Sequence, residues 1–290
     1  MAQTWFITGS SRGFGRALTV AALAVGDRVV ATARTPGVLD ELVQRHGDDL
    51  LAISLDVTDS KAAQEVIEAG VDRFGRLDVV VNNAGYANVA PIETGQVEDF
   101  RAQFETNFWG VYNVTKAAIG PLRDQGGGVI VQFSSIGGRV GGSPGIASYQ
   151  AAKFAVDGFT RVLAAETAPF GIRTLVVEPS GFATDWAGSS MTIHDVPEEY
   201  DETVGFMQRR VRTSPAGPAG DPARAAEIIV QVVKRERIPS HLLLGVNAVE
   251  MGIAYSRQQL EAAESWEQVS RSADYDQPYP VPFPPDGEAS

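Results

Sequence analysis

Seven short runs of β-branched and apolar residues recur along the chain, each followed by a longer stretch with helical spacing. This alternation restricts the fold more than any other feature. The runs fall at 4–8, 28–33, 50–55, 77–82, 129–134, 172–178 and 241–245. Helical patterns lie between and after them, at 13–25, 39–45, 60–74, 97–122, 149–168, 223–234 and 248–269. Strands joined by helices must pair in parallel through right-handed crossovers, which places helices on both faces of the sheet. The expectation is an α/β fold, a doubly wound parallel sheet, forming one domain over residues 1–271.

Two stretches break the rhythm. Residues 180–221 are rich in Gly, Pro, Ser and Thr but retain Trp186, Met191, Tyr200, Phe206 and Met207, so they read as a packed lid over a ligand site. Residues 272–290 carry Pro278, Pro280, Pro282, Pro284 and Pro285 and read as an extended tail. The formal net charge of −12 argues against nucleic acid or an anionic membrane as partner. The chain has no cysteine, which excludes disulfides and thiolate chemistry, and His46, His194 and His241 are too scattered to form a metal site. The opening residues enter a strand pattern without a basic segment or cleavage site, and the apolar stretch 17–25 is shorter than the roughly 20 residues of a membrane span. A cytoplasmic protein is therefore expected.

The first run leads into Gly9-Ser-Ser-Arg-Gly13-Phe-Gly15 and then a helix. Gly9 permits a tight turn, Gly13 lets the backbone approach a pyrophosphate, and Gly15 lets the helix pack closely on the sheet. Ser11, Arg12 and Phe14 complete a loop whose N–H groups, at the positive helix end, would meet the phosphates of a dinucleotide. Further along stand Asp56 and Val57 after the third run, Asn82-Asn83-Ala84-Gly85 after the fourth, and Asn107 in the next helix. Ser134-Ser135 ends the fifth run, and Tyr149-Gln-Ala-Ala-Lys153 opens the helix beyond.

In these motifs, their spacing and their order, residues 4–184 resemble the short-chain dehydrogenase/reductase family. The resemblance implies a Rossmann-type fold and an oxidoreductase of the carbonyl reductase or alcohol dehydrogenase kind, interconverting a ketone or aldehyde and its alcohol with NADP(H). It implies Tyr149 as acid/base, Ser135 as hydrogen-bond donor to the carbonyl oxygen, and Lys153 on the nicotinamide ribose and on tyrosine. Asn107 would hold a water linking the lysine to solvent. Asp56 and Val57 would lie near the adenine, Asn83, Ala84 and Gly85 would border the cofactor, and Pro179, Gly181 and Thr184 would flank the nicotinamide. The chain departs from the family in carrying Ser180 where a glycine is usual, and in a Ser135–Tyr149 interval one residue longer than in many relatives. Tyrosine has an ordinary pKa of about 10, and a lysine four residues along the same helix face is placed to lower it.

Tyr112-Asn-Val-Thr-Lys116 repeats the Tyr-x-x-x-Lys pattern in mid-helix. Ligands of open parallel sheets bind outside the carboxyl ends of strands, which selects Tyr149 and leaves Tyr112 as a packing residue. Ser135 is preferred to Ser134 because Ile136-Gly-Gly follows it as in the family. The second run ends in Ala33 and Arg34, with no acidic residue to accept bonds from a ribose, and Arg12 is a second cation nearby; both favour a 2′-phosphate and hence NADP(H). Gly141, Ile146, Phe182, Trp186, Met191 and Met207 are placed to wall a pocket for an apolar or aromatic carbonyl compound. Trp109, Phe154 and Phe159 give the helices of Asn107 and Tyr149 extra apolar faces, which fits a homodimer or homotetramer. An epimerase or dehydratase on the same fold, or a cofactor-binding regulatory protein, are the alternatives.

Overall fold

The computed structural model describes residues 2–184, 191–213 and 220–285. The first half of the chain alternates β1 (Thr4–Ile7), α1 (Gly13–Ala24), β2 (Arg28–Ala33), α2 (Asp40–His46), β3 (Leu50–Ser54), α3 (Ser60–Phe74) and β4 (Val79–Asn82). A long helix follows in three parts: α4 (Val97–Phe104), a π-helical turn (Glu105–Trp109) and α5 (Gly110–Asp124). Then come β5 (Gly128–Phe133), α6 (Gly137–Val140), α7 (Ala147–Thr167), β6 (Ile172–Pro179), α8 (Phe206–Thr213) and α9 (Pro222–Val233). The chain continues through β7 (His241–Leu244), α10 (Val246–Ser265) and α11 (Glu267–Arg271).

The seven strands form one sheet in the order β3-β2-β1-β4-β5-β6-β7, and every pairing is parallel. Period-two alternation divides the apolar side chains between two cores. Trp5, Ile7, Val29, Ala31, Val79 and Val81 face α1 and α9, while Phe6, Val30, Val80 and Ile130 face α3 and α5. The strand order reverses between β1 and β4, so their carboxyl ends splay apart and leave a crevice there. Gly9 and Asn83 stand on opposite sides of it.

The lid region contains α8, which the sequence pattern does not announce, because 206–213 carries three arginines and little apolar spacing. Its two stems are clasped: Phe182 bridges to Gly220, with the Ala183 N–H on the Gly220 carbonyl and the Gly220 N–H on the Gly181 carbonyl, each at 2.9 Å. The helix expected at 248–269 breaks at Trp266 into α10 and α11. In α10 only Ala248 and Gly252 are buried. Among the described residues no helix is long and apolar enough to cross a membrane.

Candidate active site

The glycine loop is shaped by close contacts rather than by sequence spacing alone. Gly9 and Gly13 have φ of +68° and +54°, conformations that suit glycine. A methyl on Gly15 would lie 2.2 Å from the Gly9 carbonyl oxygen and 2.6 Å from Nδ2 of Asn83, so the helix can start against the loop only without a side chain. Asp59 caps α3 by accepting the N–H groups of Lys61 and Ala62. The first turn of α1 has no such side-chain cap among the described residues, and its N-cap position is Arg12. An uncapped helix end behind a glycine cradle fits a nucleotide phosphate.

Thr8, outside the expected site set, ties the two sides of the crevice together. Its Oγ1 accepts the N–H groups of Asn83 at 2.9 Å and Ala84 at 3.0 Å, while Asn83 Nδ2 donates back to the Thr8 and Gly9 carbonyls. Ser10, also outside that set, is fully buried and bonds the Ile7 carbonyl. The only sequence signal was a pair of small hydroxyl residues beside the first glycine. Phe14 packs on Phe133 and on Phe182 with ring centres 5.3 Å and 4.8 Å apart, linking the loop to β5 and to the lid stem.

At the far end of the cleft, Ser135 and Tyr149 are hydrogen-bonded side chain to side chain. Ser134 points elsewhere: it is buried and its hydroxyl donates to the Lys153 carbonyl at 3.0 Å. Alternation at the strand end therefore separates the two serines, as expected. Lys153 is buried, and its Nζ donates to the Phe133 carbonyl at 2.6 Å while standing 5.7 Å from the Tyr149 ring centre. Burial lowers the Lys153 ammonium to about 8. Burial also raises the Tyr149 phenol above its ordinary value, against the opposing effect of the Ser135 bond. The expected lowering by Lys153 is thus not produced by the protein groups alone, because the ammonium is turned toward β5 and desolvation is the larger effect.

Asn107 is completely buried in the π-helical turn. Its Oδ1 accepts the Tyr86 N–H at 3.0 Å and its Nδ2 donates to the Tyr86 carbonyl at 2.8 Å. A methyl on Gly85 would sit 2.4 Å from Asn107 Oδ1 and 3.6 Å from Lys153 Nζ, so these two side chains converge on that glycine. Tyr112 lies instead in an aromatic row with Trp109 and Phe159, at 5.5 Å and 5.9 Å, outside the cleft lining.

One cleft of about 2730 Å³ joins the two ends, room for a dinucleotide and a second ligand. Its walls include Gly9, Ser11, Arg12, Gly13 and Phe14 from the loop, and the exposed Arg34 with Asp56 and Val57 at one end. Asn83, Ala84, Gly85, Ser135, Tyr149 and Lys153 line its middle, with Pro179, Gly181 and Thr184 opposite. Gly15 and Asn107 lie behind this wall rather than in it. Asp56 accepts the N–H and hydroxyl of Thr58. Ser180 directs both its N–H and its hydroxyl to the Leu244 carbonyl, at 3.1 Å and 3.4 Å, so the departure from glycine is absorbed against β7. The longer interval before Tyr149 is taken up by Gly141, Gly142 and Gly145, all at positive φ. Of the expected pocket walls, Ile146, Phe182 and Met207 line the cleft, Met191 packs against the cluster of Val89, Ile146 and Val204, and Gly141 faces the Phe154 ring. Trp186 lies outside the described residues.

Comparison with known proteins agrees with this geometry. Residues 3–192 match the family model described as short chain dehydrogenase. The chain is 46% identical over 271 residues, 93% of its length and 98% of the relative's, to "Oxidoreductase BOA17" of Botryotinia fuckeliana. It is 38% identical, with a TM-score of 0.87, to the crystal structure of a short-chain dehydrogenase from Streptomyces avermitilis, covering 94% of this chain and 98% of the other. An alcohol dehydrogenase from Thermococcus sibiricus complexed with 5-hydroxy-NADP is 26% identical, with a TM-score of 0.69 over 84% of this chain and 96% of that one. Relatives of this kind hold a nicotinamide cofactor, in NAD or NADP form. With the motif order, the sheet and the cleft in agreement, the chain belongs to the short-chain dehydrogenase family of oxidoreductases.

Proposed function

We propose that this protein reduces a ketone or aldehyde, and oxidises the corresponding alcohol, with NADP(H). The observation that carries the reading is the Ser135–Tyr149 hydrogen bond beside buried Lys153, on the same cleft wall as the glycine loop. The reduced nicotinamide, when bound, supplies the hydride for the carbonyl carbon. Tyr149 gives its phenolic proton to the carbonyl oxygen, and Ser135 donates a hydrogen bond to that oxygen as negative charge develops. A phenol held protonated by burial suits the donor role. Lys153, with a pKa of about 8, is able to exchange a proton near neutrality, which makes it the group to restore the proton of the tyrosinate.

The cofactor form is argued from the end of β2. Ala33 stands where a carboxylate would bond the ribose hydroxyls, and Arg34 is exposed at the cleft with its charge felt at Tyr86. An arginine there binds a phosphate in a charge-assisted fashion, and β2 itself ends in Ala33, without a carboxylate that would repel one. The walls Ile146, Met207 and Phe182 favour an apolar or aromatic substrate. Two exposed aromatic side chains, Trp109 in the π-helical turn, 43% accessible, and Phe154 on α7, 41% accessible, favour pairing with a second copy through these helices. The deciding experiment follows reduced-cofactor consumption with a panel of ketones and aldehydes, comparing NADPH with NADH. Turnover with higher catalytic efficiency for NADPH supports the reading, and a chain that consumes neither cofactor with any carbonyl refutes it.

A further inference from the structure

Residues 191–204 are tied to the body at three neighbouring positions, Asn88, Val89 and Glu93. Asn88, 6% exposed, engages its backbone N–H and both polar atoms of its side chain. Its N–H donates to Gln103 Oε1 at 2.9 Å, its Nδ2 donates to Asp99 Oδ1 at 2.5 Å, and its Oδ1 accepts the Thr192 N–H at 2.8 Å. Gln103 Nε2 donates to the other Asp99 oxygen at 3.1 Å, and His194 Nε2 stands 3.3 Å from that oxygen. Two backbone bonds flank the Asn88–Thr192 contact, from the Val89 N–H to the Thr192 carbonyl and from the His194 N–H to the Val89 carbonyl.

Beneath this clasp, Val89, Ile146 and Val204 form a small buried cluster, and Tyr149, Met191, Ile193, Val196 and Tyr200 pack against it. The segment and the tyrosine that is proposed to deliver the proton therefore rest on one shared cluster. Gly145 makes the meeting possible: its φ is +84°, and a methyl on it would lie 2.9 Å from Val204 and 3.0 Å from Val89.

We propose that Asn88, oriented by Asp99 and Gln103, is a positioning residue that seats residues 191–204 on the cluster that also backs Tyr149, and so steadies the tyrosine without touching the reacting atoms. The inference rests on the carbonyl-reductase reading for its kinetic consequences. The Asp99 carboxylate accepts from both Asn88 Nδ2 and Gln103 Nε2, which leaves the Asn88 carbonyl oxygen facing Thr192. Tyr149 packs on the same cluster as the segment, so loosening the segment opens the phenol, whose pKa burial raises, to water.

Asn88→Ala removes the clasp from the body side and Thr192→Pro removes the same bond from the exposed lid side, so the second variant carries the test even where the first fails to fold. Both are expected to lower kcat/KM for the carbonyl substrate by about tenfold, the rate equivalent of one lost buried hydrogen bond. The affinity for NADPH, read by fluorescence titration, should change less than about twofold, since no phosphate or ribose contact is altered. The alkaline limb of the reduction rate should move to lower pH as water reaches the phenol. Amide hydrogen exchange at Val89 and His194 should rise in both variants, a readout that stands whether or not any carbonyl is turned over. Unchanged exchange and unchanged kinetics in both would overturn the proposal. So would equal losses of NADPH binding and turnover, which would mark a general structural role.

Discussion

The two ends of the cleft are built by different means. At the cofactor end the backbone itself is the device: Gly9, Gly13 and Gly15 hold shapes and approaches that no side chain allows, and Thr8 and Asn83 lace loop to strand. At the substrate end, residues 191–204 are held by bonds to Asn88, Val89 and Glu93 and by a cluster whose buried members, among the described residues, are Val89, Ile146 and Val204. Each such side chain contributes about 1.5–3 kcal/mol, which is little against the entropy of ordering so long a segment. The difference teaches where change is tolerated. The cofactor end accepts almost none, whereas the substrate end can be retuned by altering side chains that no strand or helix depends on.

The largest effect should come from the chemistry shared by both ends. Tyr149→Phe is expected to lower kcat for carbonyl reduction by about 10²–10⁴-fold while leaving NADPH affinity nearly intact. Tyr112→Phe, in the aromatic row, should leave kcat within about twofold, since it lies outside the cleft. Stopped-flow turnover and cofactor titration on the two variants decide this, and equal damage from both would undo the choice of Tyr149.

Paired glycine substitutions test the contrast directly. Gly15→Ala should abolish cofactor binding and destabilise the fold, because the new methyl meets backbone at 2.2 Å and overpacking of this kind costs about 1–3 kcal/mol or more. Gly145→Ala meets only side-chain methyl groups, though at positive φ, a strain of about 1–2 kcal/mol. It should raise KM for the carbonyl and spare the NADPH dissociation constant. Calorimetric titration of both variants with NADPH measures the split; a Gly145→Ala chain that loses NADPH binding would erase the distinction.

Smaller effects sharpen it further. Ala33→Asp with Arg34→Ala should shift the NADPH/NADH efficiency ratio by about 10–100-fold toward NADH, the equivalent of one charge-assisted phosphate contact. The kinetics of both cofactors on one preparation report it, and an unmoved ratio would remove Arg34 from the site. The pH dependence has a fixed sign. Reduction needs the Tyr149 phenol protonated, so it should hold through neutrality and fall at alkaline pH, where Lys153 loses its proton from about 8 upward. Alcohol oxidation needs the phenolate and should rise over the same range. Opposite slopes in steady-state profiles are the expected result.

Sequence periodicity locates the strands within a residue or two and the glycine loop without error, because apolar alternation and glycine are strong local signals. The pairing of Ser135 with Tyr149 was legible only through the family resemblance, since it joins segments distant in sequence, and the bonds of Asn107 to Tyr86 were not foreseen. Thr8, Ser10, Asn88, Asp99 and Gln103 were not legible at all. A polar residue buried for a hydrogen bond has the same one-letter appearance as one facing solvent, and only tertiary packing distinguishes them. The helix at 206–213 escaped because it is short: Phe206, Met207 and Val211 are its only apolar residues, too few to display a helical period among three arginines.

The π-helical turn at Glu105–Trp109 gives the long helix of α4 and α5 one residue too many for its phase. Each residue of an α-helix turns about 100° around the axis, so the extra one offsets the face carrying Asp99 and Gln103 from the face carrying Val111 and Val114. Asn107 sits at the dislocation and presents its amide to Tyr86. The extra residue thus acts as a gear-tooth offset, letting a single rod mesh with the lid clasp at one end and with the sheet at the other. Deleting one residue there would restore a regular helix and yet disengage one of the two meshes, so this helix tolerates a substitution far more readily than a change of length.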